Sequence, residues 1–327
     1  MSHPVSDHCD GVRFFNPRVD TDKSAADLHR WRATRAPARW PAWVENEAFP
    51  PPAATGPGEI VATHVGQATF LLQFDGWNVL TDPIFSARAS PVRWAGPRRV
   101  RAPGLAFADL PRIDLVLLSH NHYDHMDLPS LRRIRRRWRA PIVTGLGNGR
   151  YLRRHWVGGA IELDWWGAIE PGPGVRVTYV PAQHWSKRGF FDRRRMLWGG
   201  FVAETPAGRL YFAGDTGYPA QFGEIARRLG APDIALLPIG SYEPRWFMAG
   251  QHMNPDEAVR AHLDLGAGLS IAMHFATFHL TDEAIDAPVA ALQTALAEHR
   301  VAPARFRVPE FGETLLWTRQ SASLAPA

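Results

Sequence analysis

The chain has 327 residues, 45% apolar and 21% charged, which suits one large globular domain or two small ones and excludes a fibrous or wholly disordered protein. A formal charge of +5 and a pI near 9.8 suggest attraction to phosphates but are too modest to mark a nucleic-acid binder. The lone Cys9 excludes an intrachain disulfide, and no apolar run is long enough to span a bilayer or to serve as a signal segment, so a cytoplasmic location is expected.

Residues 1–58 read as an extension interrupted by Pro37, Pro41, Pro50, Pro51, Pro52 and Pro57. One short helix is expected over residues 24–35, with Trp31, Trp40 and Trp43 pinning the arm to the body. From Glu59 the texture changes to strands at 60–65, 69–74 and 77–81, with Asp75-Gly76 as the hairpin turn. Asp82-Pro83 breaks the sheet, and the continuous apolar run 113–118 reads as a strand buried on both faces. Asp127-Leu128-Pro129-Ser130 starts a basic helix to about residue 138, and 142–144 is a further strand. Gly145-Leu146-Gly147-Asn148-Gly149 is read as a turn, because its spacing is wrong for a nucleotide-binding loop and no acidic partner follows. Strands follow at 175–180, 200–205 and 209–213, then short buried ones at 234–237 and 270–273. Asn254-Pro255-Asp256-Glu257 combines an N-cap, a first-turn proline and two acids, a strong helix start. Thr281-Asp282-Glu283 is expected to start the last long helix, to about residue 299. Strands at 305–308 and 314–317 close the sheet, and residues 319–327 are expected to be a disordered tail.

The run His120-Asn121-His122-Tyr123-Asp124-His125 follows the apolar stretch directly. Imidazole and carboxylate are the usual ligands of zinc and its first-row neighbours, and a loop at a strand end lets several side chains converge. His184, Asp215 and His274 each follow another expected strand, and His252 stands just before the N-cap Asn254. Taken singly, His184 reads equally well as a packed core histidine, His274 more often as one, and Asp215 as a turn cap. Together they complete a donor set for a pair of metal ions, with iron and manganese as open as zinc.

These residues carry a resemblance. His-x-His-x-Asp-His, a distant His, Gly214-Asp215-Thr216 and a last His after a strand resemble the metallo-β-lactamase fold superfamily. The segments Thr81-Asp82-Pro83-Ile84-Phe85-Ser86, Pro181-Ala182-Gln183-His184-Trp185, Pro238-Ile239-Gly240-Ser241-Tyr242-Glu243-Pro244-Arg245 and Gln251-His252-Met253-Asn254-Pro255 narrow it. They are similar to phospholipases D that hydrolyse N-acylphosphatidylethanolamine, and to bacterial relatives. The resemblance implies an α/β fold, an αββα four-layer sandwich over residues 59–318, carrying two zinc ions. His120, His122 and His184 would bind one ion, Asp124, His125 and His274 the other, and Asp215 would bridge them. The relatives often have His where this chain has Gln67, which puts tuning around the metals in question rather than metal binding itself.

A dinuclear zinc site delivers a bridging hydroxide to a phosphodiester or, equally, to a lactone carbonyl, so fold and metals do not select the substrate. Asp124, Asp215 and His252 are the expected catalytic residues. Tyr242, Arg245 and Trp185 are the expected substrate-binding ones, Arg245 as a bidentate phosphate ligand. Residues 185–198 mix aromatics with cations and are expected to meet a phospholipid, with Trp246-Phe247-Met248 adding to the apolar wall. The leading reading is a phosphodiesterase of phospholipase D type, peripheral to the inner membrane face. The alternative is a lactonase or other small-molecule hydrolase; a homodimer is expected from the resemblance and a nucleic-acid partner is not.

Overall fold

The computed structural model describes residues 3–52, 55–219 and 221–318. The expected disordered tail, residues 319–327, lies outside the described residues. Two seven-stranded sheets face each other. The first is built from β1 (Glu59–Gly66), β2 (Thr69–Phe74), β3 (Trp77–Thr81), β4 (Leu115–Leu118), β5 (Ile142–Gly145) and β6 (Ala160–Leu163). The second takes β7 (Ala168–Gly172), β8 (Val175–Val180), β9 (Gly200–Glu204), β10 (Arg209–Phe212), β11 (Ile234–Pro238), β12 (Leu269–Met273) and β13 (Phe306–Arg307). The last strand, β14 (Thr314–Thr318), returns to the first sheet and pairs antiparallel with β1.

Period-two alternation divides the first sheet between two cores. Phe70, Leu72, Phe74, Val79, Leu115 and Leu117 point at the second sheet, against Val177, Phe201, Leu210 and Phe212. Leu71, Leu80, Val116 and Leu118 point the other way, onto Leu131 and Ile134 of α2 (Leu128–Trp138) and Leu152 of α3 (Asn148–Arg154). The outer face of the second sheet is covered by α6 (Pro255–Leu265), packed between α4 (Gln221–Leu229) and α7 (Ala287–Glu298). The layers therefore run helix, sheet, sheet, helix, and each large side chain buried between them is worth roughly 1.5–3 kcal/mol. β3 and β4 run parallel, as do β10, β11 and β12, and two antiparallel steps through β9 bring β8 into the same direction. The C-terminal ends that share a rim are therefore those that carry the candidate donors.

The hairpin turn is as expected: Asp75 and Gly76 both take positive φ, 44° and 81°. The Asn254 capping box forms with Glu257. Several expectations need correction. Residues 281–283 do not start a helix; α7 begins at Ala287, while Asp282 pairs with Arg35 and Glu283 accepts the backbone N–H groups of Ser241 and Glu243. These acids are spent on tertiary contacts instead of on a helix terminus. A short helix, α3, replaces the glycine turn at its end, and β6 and β7 were not foreseen because neither is strongly apolar. In the arm, α1 (Ala25–Thr34) forms, Trp31 stacks on Phe247, and Trp40 stacks on His279 and donates to the Glu283 carbonyl. Trp43 is 44% exposed and donates to nearby Glu45, while the adjacent Val44 N–H reaches the Val100 carbonyl. The deeper anchors are Cys9 and Phe14, both buried in the main core.

Candidate metal centre

The polypeptide leaves β4 at Leu118 and crosses the rim as Ser119 to His125 before the N-cap Asp127 of α2. Across from it, Asp215 leaves β10 after Gly214, where an added Cβ would lie 2.7 Å from the Ser119 side chain; only glycine lets the two loops close up. His184 arrives after β8 and His274 after β12. Left-handed backbone clusters here in residues with side chains: Gln67, Asp82, Ser241, His274 and Ala276 have φ of 55°, 30°, 64°, 62° and 49°. Such strain persists where the surroundings overdetermine it.

Two groups of donors meet at Asp215, one of His120, His122 and His184 and the other of Asp124, His125 and His274. In the first, His122 Nδ1 lies 2.9 Å from His120 Nε2 and 3.1 Å from His184 Nε2. In the second, His274 Nε2 is 3.1 Å from Asp124 and 3.2 Å from Asp215, and His125 Nε2 is 3.1 Å from Asp215.

The outward ring nitrogens settle which lone pairs point inward. His184 Nδ1 donates to the Gln251 carbonyl at 2.9 Å, and His125 Nδ1 to Asp82 at 2.6 Å. Ser119 gives its hydroxyl proton to Asp82 and accepts from His120 Nδ1 at 2.9 Å. When these rings are neutral, Nε2 of His120, His125 and His184 all present lone pairs to one another and to carboxylate oxygens. Acceptors facing acceptors in a buried site call for a cation between them, and the donor set fits metal ions on this ground. Protons meet the same field when no metal does. Burial pulls both rings down, but Asp215 and Asp124 prevail, raising His125 well above the usual imidazole range and His274 to about 9. Burial, aided by neighbouring imidazoles, holds His120 and His122 well below that range; burial also takes His184 to about 4. Asp124 and Asp215 resist their burial and stay far below ordinary carboxylates because His125 and His274 face them.

A family model for the β-lactamase superfamily domain matches residues 77–275, from the start of β3 to just past His274. The chain belongs to the metallo-β-lactamase superfamily. A protein of Methanopyrus kandleri named a metal-dependent hydrolase is 32% identical over 66% of this chain and 84% of its own length. An uncharacterized protein of Mycobacterium tuberculosis is 41% identical over 72% of this chain and 64% of its own length. The N-acyl-phosphatidylethanolamine-hydrolyzing phospholipase D 1 of Caenorhabditis elegans is 37% identical over 67% of this chain and, again, 64% of its own. The match thus spans somewhat under two thirds of the mycobacterial and nematode relatives. The solved metallo hydrolase Igni18 of Ignicoccus hospitalis shares the fold, with a TM-score of 0.60 at 24% identity over 79% of this chain and 98% of that one.

Within this metallo-β-lactamase fold the other expected site residues divide. His252 is buried beside the centre, its Nδ1 unpartnered and 3.9 Å from Asp215; burial takes its pKa to about 3. Trp185 lies edge-on to His122 at 4.7 Å, under the Arg193 guanidinium. Arg245 is not free for a phosphate. Its guanidinium is held by Glu257 at 2.7 Å and by the His252 carbonyl at 2.9 Å, so it positions the His252 loop. Tyr242 is buried, and burial with Glu283 and Glu243 nearby lifts its hydroxyl to about 12, which keeps it a neutral phenol. In α5 (Arg245–Met248) Trp246 is 38% exposed, whereas Phe247 and Met248 are buried and add nothing to an exposed wall. Gln67 donates to Asp124 at 2.9 Å while its own carbonyl accepts the His274 N–H, so it ties the two loops of the second donor group together.

Sequence reading missed the braces. Asp82 anchors Ser119 and His125; its place at the end of β3 beside β4 was the available signal. Arg188 was read as lipid-facing, but its Nη1 donates to the carbonyls of Asn121, His122 and Met126 at 2.9, 3.3 and 2.8 Å, fastening the donor loop.

Proposed function

We propose that the chain is a dinuclear zinc phosphodiesterase of the phospholipase D type. Its substrate is N-acylphosphatidylethanolamine or a related phospholipid, cleaved to phosphatidic acid and an N-acylethanolamine. The observation that carries the reading is the pair of donor groups sharing Asp215. His120, His122 and His184 would hold one ion and Asp124, His125 and His274 the other. Zinc bound there supplies Lewis acidity toward a phosphoryl oxygen and lowers the pKa of water toward neutrality. The likeness to the nematode phospholipase D supports the phosphodiester over a lactone.

The protein's own groups set the geometry. Asp82, Ser119 and the Gln251 carbonyl fix the ring tautomers. His252, buried with its Nδ1 3.9 Å from Asp215, would orient the substrate by a hydrogen bond or protonate the leaving group. Trp185 forms a wall beside His122. The test is hydrolysis of mixed-micelle N-acylphosphatidylethanolamine by metal-quantified protein, read by mass spectrometry beside His120→Ala. Release of N-acylethanolamine by the native protein alone is expected. A metal-loaded protein that leaves this lipid intact but opens lactones overturns the reading.

A further inference from the structure

Phe190 and Phe191 stand 93% and 89% exposed, side by side at the tip of the loop after His184. Isolated exposed apolar residues are ordinary, but two adjacent bare aromatic rings form a patch that asks for a partner. The tip is held in shape. Asp192 accepts the N–H groups of Arg188 and Gly189 at 3.1 and 2.7 Å, and the Arg194 N–H reaches the Ser186 carbonyl at 2.8 Å. Arg193 and Arg194 both pair with Asp22.

Beside the tip, Arg88, Arg93, Arg132 and Arg188 border a cavity of about 590 Å³ together with Tyr123 and Tyr151. Arg132 also borders a second depression, with Arg135, Arg136, Arg139 and Trp156. One face therefore runs from the phenylalanine tip to the end of α2. Among the described residues, none of these seven arginines forms an ion pair; the arginine–carboxylate pairs lie elsewhere. Trp94, in the same loop as Arg88 and Arg93, is 81% exposed, and Trp156 is 88% exposed.

We propose that this face docks the protein on an anionic lipid bilayer, with Phe190 and Phe191 entering the acyl region and the exposed Arg93, Arg132, Arg136 and Arg139 meeting lipid phosphates. Each basic residue near such a surface contributes about 1 kcal/mol, and tryptophans such as the exposed Trp94 and Trp156 favour the level of the headgroups. Self-association through this face is disfavoured, because an isologous contact would set the same arginines against each other. The proposal deepens the phospholipid reading and rests on it for its purpose: Trp185, in the same loop, touches His122, so docking would bring the donor cluster to the surface from which the substrate comes.

The test is co-sedimentation of the full chain, and of its His120→Ala variant, with phosphatidylcholine vesicles and with phosphatidylcholine–phosphatidylglycerol vesicles at low and high salt. Both proteins are expected to bind the anionic vesicles, less so at high salt. Arg93→Gln/Arg136→Gln/Arg139→Gln should weaken binding roughly 100-fold, from about 1 kcal/mol per residue. Phe190→Ser/Phe191→Ser should weaken it at both salts while leaving hydrolysis of a water-soluble phosphodiester unchanged. No binding to anionic vesicles, unchanged binding in both multiple variants, or a dimer that only the phenylalanine variant dissolves would each overturn the proposal. Turnover is not read in the binding assay, so failure of docking and failure of the phosphodiesterase reading are separate results.

Discussion

The two sheets supply the donor cluster in different ways. The first provides His120, His122, Asp124 and His125 from a single loop after β4; the second provides His184, Asp215 and His274 one at a time, after β8, β10 and β12. The single loop is braced by side chains, chiefly Asp82 through Ser119 and His125, with Arg188 clamping its carbonyls. Backbone carbonyls hold the scattered donors, Gln251 the His184 ring and Gln67 the His274 N–H, while the Asn16 side chain ties both backbone groups of His184. A compact loop has many conformations to lose and needs dedicated side chains to hold it, whereas a residue just past a paired strand is placed by the sheet itself.

That contrast can be broken or sharpened experimentally. Asp215 faces both donor groups, so Asp215→Ala should remove bound metal from both and drop hydrolysis to background, read by metal analysis beside the rate. Retention of full metal content would mean the halves do not share it. Asp82→Asn leaves every donor of the two groups that meet at Asp215 in place but weakens the side-chain brace, and should lower metal affinity or activity by about 10–100-fold. Gln251→Ala is its counterpart in the other half. The carbonyl that orients His184 survives that substitution, so metal affinity should stay within about threefold, the ordinary scatter of such contributions, of the parent. Equal losses in both variants would remove the distinction between side-chain and backbone bracing.

The smallest effect lies outside both halves. His64 on β1 is fully buried against Phe70, Phe275 and Phe311, and burial lowers its pKa from 6.5 to about 4. Between these values the unfolded chain binds more protons than the folded one. The stability of the neutral ring is therefore complete above pH 6.5 and is lost as pH falls toward 4, by about 3 kcal/mol in all. His64→Phe should flatten this acid limb in melting curves between pH 7 and 4 without changing metal content at neutral pH.

Legibility followed the range of the interactions. The donor loop, the Asp75-Gly76 hairpin and the Asn254 capping box were readable because each is complete within a few residues. The scattered donors were nameable only as a set and through resemblance, since a histidine after an apolar strand looks the same whether it packs or ligates. Arg245 and residues 281–283 were misplaced for a related reason. A phosphate-seeking arginine and one paired with Glu257 have the same local sequence, as do acids that start a helix and acids that hold Arg35 or the N–H groups near Ser241.

By itself the sequence determined most strand and helix periodicities and the chemical types of the donors, because these depend on side-chain character and short-range spacing. Only the tertiary structure decided which lone pairs point inward, which cations remain unpaired on the face beside Phe190 and Phe191, and which acids are consumed by distant partners. Those outcomes depend on groups far apart in the chain competing for the same proton, carboxylate or buried surface, and that competition is resolved only when the sheets close on each other.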